Sequence, residues 1–174
     1  EYYGMVTFLL SASSIMMPLM AFGVHSTLIR FYSRYTDVAE REKFMTFMLF
    51  MPLLLIIPIT LITYFFYDQI AFLILEKNPE TKPFLWLIPI IGICMGYFEV
   101  YYAWVKVHMK SVIGNFISEV LVRVVIMFML FAVYWNWISE DQFIYGLAVA
   151  YFLQVFVMKI YAMSVKMPVL SLKI

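Results

Sequence analysis

One cysteine, two histidines and very few charges leave this 174-residue chain poor in the side chains that do chemistry. Cys94 lies in an apolar run and permits no internal disulfide, so it reads as a small buried hydrophobe. His25 and His108 have no partner at metal-ligand spacing. His25, late in an apolar stretch, reads as a packing histidine. His108, between Lys106 and Lys110, reads as part of a basic surface. The six glycines form no phosphate-cradling loop, and no serine sits in a nucleophile elbow. An enzyme is therefore not expected, nor a bound metal or cofactor. Net charge is only +1, and the basic residues fall at the ends of apolar stretches rather than in a patch, which argues against nucleic acid as a partner.

Apolar residues fill the space that charge leaves. They make up 65% of the chain, with 20% aromatic and 13% charged, whereas soluble domains have about 45–50% apolar and 25% charged residues. Five stretches of about 20 residues or more stand out, at 3–29, 44–67, 84–105, 112–134 and 143–163. No Gly/Ser-rich linker separates them. The expectation is an all-α, polytopic membrane protein with five transmembrane helices in one domain. The chain opens on Glu1, shows no signal-peptide layout and starts its first apolar run almost at once, so it is expected to be a fragment of a larger protein.

Lys and Arg set the expected orientation. One set of loops holds Arg30, Arg34, Arg41, Lys43, Lys106, Lys110, Lys159, Lys166 and Lys173; the other holds only Lys77 and Lys82. The positive-inside rule places the start outside and the C-terminus in the cytoplasm, alternating correctly through all five helices. Trp86, Trp104, Trp135 and Trp137 fall near helix ends and read as interfacial anchors. Pro18, Pro52, Pro58 and Pro89 are expected to kink their helices. Gly92 and Gly96 form a small-xxx-small pair suited to close helix packing. The Ile70–Leu75 segment is either a turn of helix lying on the outer surface or the late end of the second helix.

The fourth stretch carries the candidate site. From Ser111 to Tyr134 it can cross about 30 Å of hydrocarbon, yet Glu119 and Arg123 lie within it. Four residues apart, they share one face and can pair. Each central charge costs about 2.5–3.5 kcal/mol to insert, and the roughly dozen strongly apolar residues around them only about cancel that. Such a helix should turn its charges toward other helices or a wet cavity, which marks a functional site, with a structural ion pair as the plain alternative. Asn115, one turn earlier, extends the same face. Glu99, toward the end of the third helix, and Gln154, midway along the fifth, are the other polar groups at membrane depth. Arg123 suits an anionic phosphate through charge-assisted bonds. Glu119, Glu99 and Gln154 are candidates for a coupling H⁺ or Na⁺.

Tyr3-Gly4 opens the first stretch, and Gly23-Val24-His25-Ser26-Thr27-Leu28-Ile29-Arg30-Phe31-Tyr32-Ser33 closes it. That ending resembles the second transmembrane helix of the polysaccharide-exporting branch of the MOP flippases, the Wzx-like O-antigen and lipid-linked oligosaccharide flippases. Tyr101-Tyr102-Ala103-Trp104, followed by a basic loop and a helix carrying Arg123, is similar too. The resemblance covers nearly the whole chain in helix order, through degenerate motifs. It implies part of the N-terminal lobe of a two-lobed bacterial inner-membrane transporter working by alternating access. The partner would be a lipid-linked oligosaccharide, a polyprenyl diphosphate glycan, together with membrane lipids and the remaining helices of the transporter. It further implies that Arg123, with Arg30 at the cytoplasmic mouth, meets the anionic head. The chain departs from the family in having five helices rather than a full lobe pair. A MATE-like cation-coupled drug exporter and a non-transporting membrane scaffold are the alternatives.

Overall fold

All five apolar stretches are helical, and in three of them the helix is interrupted at a place that local chemistry explains. The computed structural model describes residues 2–75 and 79–168. It is 86% helical, and no strand occurs among the described residues. Five helical spans are long and apolar enough to cross a membrane: Tyr3–Ala21, Val38–Phe65, Thr81–Val107, Ser111–Tyr134 and Glu140–Val165. The protein is an all-α membrane protein.

The first stretch, expected as one helix over 3–29, is two: α1 (Tyr2–Ala21) and α2 (Val24–Tyr32). Pro18 leaves α1 helical, and the break comes at Phe22 (φ 52°) and Gly23 (φ 62°). Glycine adopts that left-handed backbone freely; for Phe22 it costs about 1–2 kcal/mol. The second stretch starts earlier than the expected 44, because Asp37 caps α3 (Val38–Phe50) by accepting from the Ala39 N–H at 3.1 Å. Its break falls at Met51–Pro52, where proline has no N–H to continue the ladder. α4 (Leu53–Phe65) follows and runs through Pro58. It stops at Phe66 (φ −104°, ψ 19°), and α5 (Tyr67–Leu75) is a separate helix, which decides against a late end of the second span. A 3₁₀ turn (Pro79–Phe84) leads into α6 (Leu87–Val107).

The fourth stretch is α7 (Ser111–Phe116), a π turn (Ile117–Leu121) and α8 (Val122–Tyr134). The fifth, α9 (Glu140–Val165), outruns the expected 143–163 at both ends. Ser139 and Gln142 form a capping box that starts it three residues earlier.

α6 is the hub. It lies parallel to α1, with Gly92 and Gly96 letting the two backbones approach. A Cβ at Gly92 would meet Met16 Cβ at 3.2 Å, and one at Gly96 would meet the Ala21 amide nitrogen at 3.1 Å. The expected close-packing pair thus seats the α1–α2 break directly on α6. Ser13 Oγ, buried in this seam, donates to the carbonyls of Leu9 (2.8 Å) and Ile88 (3.2 Å).

Ring and polar contacts define two ends of the bundle. At one end Tyr145 of α9 packs on Phe84 and Trp86, close to α5. At the other, His108 packs on Tyr32, Tyr161 donates to the Lys110 carbonyl at 3.3 Å, and Lys166 pairs with Glu42. This second, basic end brings together the loops expected to be rich in Lys and Arg.

Two expectations need correction here. Trp104 is not an interfacial anchor: it is 2% exposed, packed in the core cluster with Val24, Leu28 and Met45. Its position near a helix end misleads because α2 and α3 cover that end. His108 is not simply surface; its Nδ1 lies 2.7 Å from the Trp104 carbonyl, its ring half-buried against Tyr32.

Candidate functional site

The span from Ser111 to Tyr134 touches the hub mainly through its first half. Gly114 is the contact point: a Cβ there would lie 2.6 Å from Cε2 of Tyr102, so only glycine lets α7 close on that ring. One turn on, the helix widens into the π turn. Such turns disturb the i→i−4 ladder and are frequent at functional sites. Here the Ser118 carbonyl takes a donor from outside the helix, the Nε2 of Gln154 at 3.4 Å. Gln154 is 6% exposed. Of the two roles open to it, the structure gives it that of an interhelical hydrogen bond.

Glu119 lies inside the π turn and Arg123 just beyond it. Arg123 Nη2 donates to Glu119 Oε2 at 2.8 Å, so the expected pair forms. It sits in the open: the side chains are 79% (Arg123) and 64% (Glu119) exposed, on the face turned away from the other described helices. Asn115 is also exposed, and its Oδ1 accepts from the Tyr102 hydroxyl. Lys106 Nζ stands 3.8 Å over the Tyr102 ring. Glu99 is half-buried on α6, one turn before Tyr102.

The result is a polar strip: Tyr102, one turn after Glu99 on α6, bonds Asn115, and Asn115 lies one turn before the Glu119–Arg123 pair on the fourth span. Sequence reasoning missed Tyr102. It is one of 13 tyrosines, and nothing local sets it apart. Gln154 approaches the same turn from the buried side, through backbone. Arg30 is exposed in the last turn of α2 at the basic end and has no hydrogen bond or ion pair with the strip. His25 is half-buried, its Nδ1 unpartnered among the described residues.

Chemically the strip can do two things. The guanidinium can hold an anionic oxygen in two-pronged fashion. A carboxylate beside it can take a proton or a small cation and so release the guanidinium for that task. No protein-family model, curated protein or solved structure matches this chain.

Proposed function

We propose that this chain is part of a membrane transporter that flips lipid-linked oligosaccharide across the bacterial inner membrane by alternating access. In this reading the polar strip faces the hydrated passage, with its basic end in the cytoplasm and Tyr2 outside. Arg123 binds the diphosphate of the polyprenyl head, Asn115 adds a hydrogen bond, and Arg30 offers a first contact at the cytoplasmic mouth. Glu119, with Glu99, takes the coupling H⁺ or Na⁺.

One observation carries the proposal: an ion pair left open near the middle of an apolar span. Two charges of this kind are not left against acyl chains, where each costs about 2.5–3.5 kcal/mol. Water or further protein must cover them. The interrupted helices support the same reading, since broken spans are tolerated where backbone lines a cavity or meets other protein.

The test compares Arg123→Ala and Glu119→Gln with the parent in a flipping assay and in membrane insertion. Removing either charge takes about 2.5–3.5 kcal/mol off the cost of inserting the span, so insertion should be retained or improved while transport is abolished. Undiminished transport would sink the proposal. A cysteine at Val120 should react with a membrane-impermeant maleimide, with the buried Cys94 as background. A reading frame that supplies one more helix upstream and at least six downstream would agree; a stop codon soon after Ile174 would not.

Among the charged groups of the strip, Glu99 and Glu119 are matched by Arg123 and Lys106, so local charge does not separate this reading from one alternative, a MATE-like exporter of cationic drugs. There Arg123→Ala would retain transport and Glu119→Gln would abolish it. In a scaffold protein neither change would matter, and the Val120 cysteine would stay unlabelled.

A further inference from the structure

A different face of α6 borders a second feature, a cavity of about 400 Å³ between α3, α4, α6 and α9. Its size falls in the range of small-molecule sites. Most of its wall is apolar, and its polar groups are few and of one kind. Tyr97 and Tyr101, one turn apart on α6, line it, and so does Lys159 of α9. Lys159 is the one charged residue among the lining residues.

None of the three polar groups is otherwise engaged. Tyr101 is 7% exposed, its ring in a core cluster on which Tyr97 also packs, yet neither its hydroxyl nor that of Tyr97 has a hydrogen-bond partner among the described residues. Lys159 makes no ion pair or hydrogen bond among the described residues. Tyr97 is half-buried and Lys159 exposed, so two phenolic hydroxyls and an ammonium that no described residue partners stay open to a ligand along this wall.

The helix directions order this set. α6 and α9 both run toward the basic end, so Tyr101 and Lys159 lie nearer that end. Ile93, Cys94 and Phe152, also on the wall, lie one to two turns further into the membrane. Donors at one pole and apolar groups at the other match a molecule with an anionic head and a hydrocarbon tail. Three donors, one of them cationic, suit the oxygens of a phosphate.

We propose that this cavity binds an anionic phospholipid of the leaflet at the basic end. Its phosphate contacts Lys159, Tyr97 and Tyr101, and an acyl chain runs along Phe152 and Cys94. The site is separate from the polar strip and does not rest on the transport reading.

The experiment is native mass spectrometry of the detergent-purified protein after incubation with phosphatidylglycerol, diacylglycerol or inorganic phosphate. Phosphatidylglycerol should be retained and diacylglycerol lost. Lys159→Gln should lower phosphatidylglycerol retention about two- to fivefold, the range of one partly exposed charge contact. Tyr101→Phe should lower it less. Lys110→Gln, which removes a cation from the same end without touching the cavity, should leave it unchanged. Equal loss in Lys159→Gln and Lys110→Gln would overturn the proposal, because the lipid would then answer only to the general charge of that end. Equal retention of diacylglycerol, or displacement of the lipid by inorganic phosphate, would also overturn it.

Discussion

The third and fourth spans differ in a way that reverses the habit learned from soluble proteins. In the Thr81–Val107 span, which holds α6, 61% of the apolar window is buried within the structure; in Ser111–Tyr134 the figure is 11%. The fourth span is nevertheless the more apolar of the two. In water the more apolar helix would be the hub. In lipid, apolar surface is content at the periphery, and helices associate through close packing and hydrogen bonds. α6 holds the centre because it offers Gly92 and Gly96 to α1, Trp104 to α2, and the Tyr102 ring to Gly114. The fourth span offers mainly branched and aromatic surface, plus one ion pair that the described helices leave exposed.

The contrast can be broken most forcefully at tryptophan. Trp104→Ala should destabilise the protein by about 3–5 kcal/mol, as loss of a fully packed aromatic does. Trp137→Ala, at a ring 76% exposed beyond the end of α8, should change stability by less than about 0.5 kcal/mol. Reversible unfolding in bicelles, followed by denaturant titration, measures both. Equal losses would show that α6 is not the hub.

A smaller effect is expected at the α1–α6 seam. Gly96→Leu drives a side chain into the Ala21 backbone and Met20, where little can yield. It should cost about 1–3 kcal/mol as overpacking, whereas Val124→Leu on the exposed face of α8 should be nearly silent in the same titration. Hydrogen exchange at Phe22 and Gly23 should quicken in the Gly96 variant alone.

The smallest effect sharpens the comparison where the two regions meet. Gln154→Leu removes the donor to the Ser118 carbonyl, a bond of a class worth about 0.6 kcal/mol and at most about 1.7. Global stability should shift only by that amount. Exchange of the amides from Ser118 to Arg123 should change measurably, because the π turn loses its outside partner. Unchanged exchange there would mean that the turn is held by the helix alone.

Much of the fold was legible because the residues state it directly. The Glu119–Arg123 pair follows from four-residue spacing, and the role of Gly92 and Gly96 from their small size. The interruptions were only half legible. Prolines announced Met51–Pro52, but Pro18 and Pro58 lie within intact helices, since neighbouring contacts can replace one missing bond. Phe22 gives no sign that its backbone turns left-handed; the packing of Met20 and Ala21 on Gly96 accompanies that turn. The Ser139–Gln142 capping box was readable and would have placed the start of α9 correctly. Tyr102 was not, because its importance comes from a residue 13 positions away, Asn115, and from the missing side chain of Gly114.

By itself the sequence determined that the chain is helical, how many spans it has and which loops share an end. A long apolar run in lipid must satisfy its backbone internally, and one helix does this without help from any neighbour. Only the tertiary structure decided which helix stands at the centre, that Trp104 is covered, and that the ion pair looks outward. Those outcomes depend on how closely two backbones can approach. That distance is set jointly by side chains far apart in the chain, so no single stretch contains it.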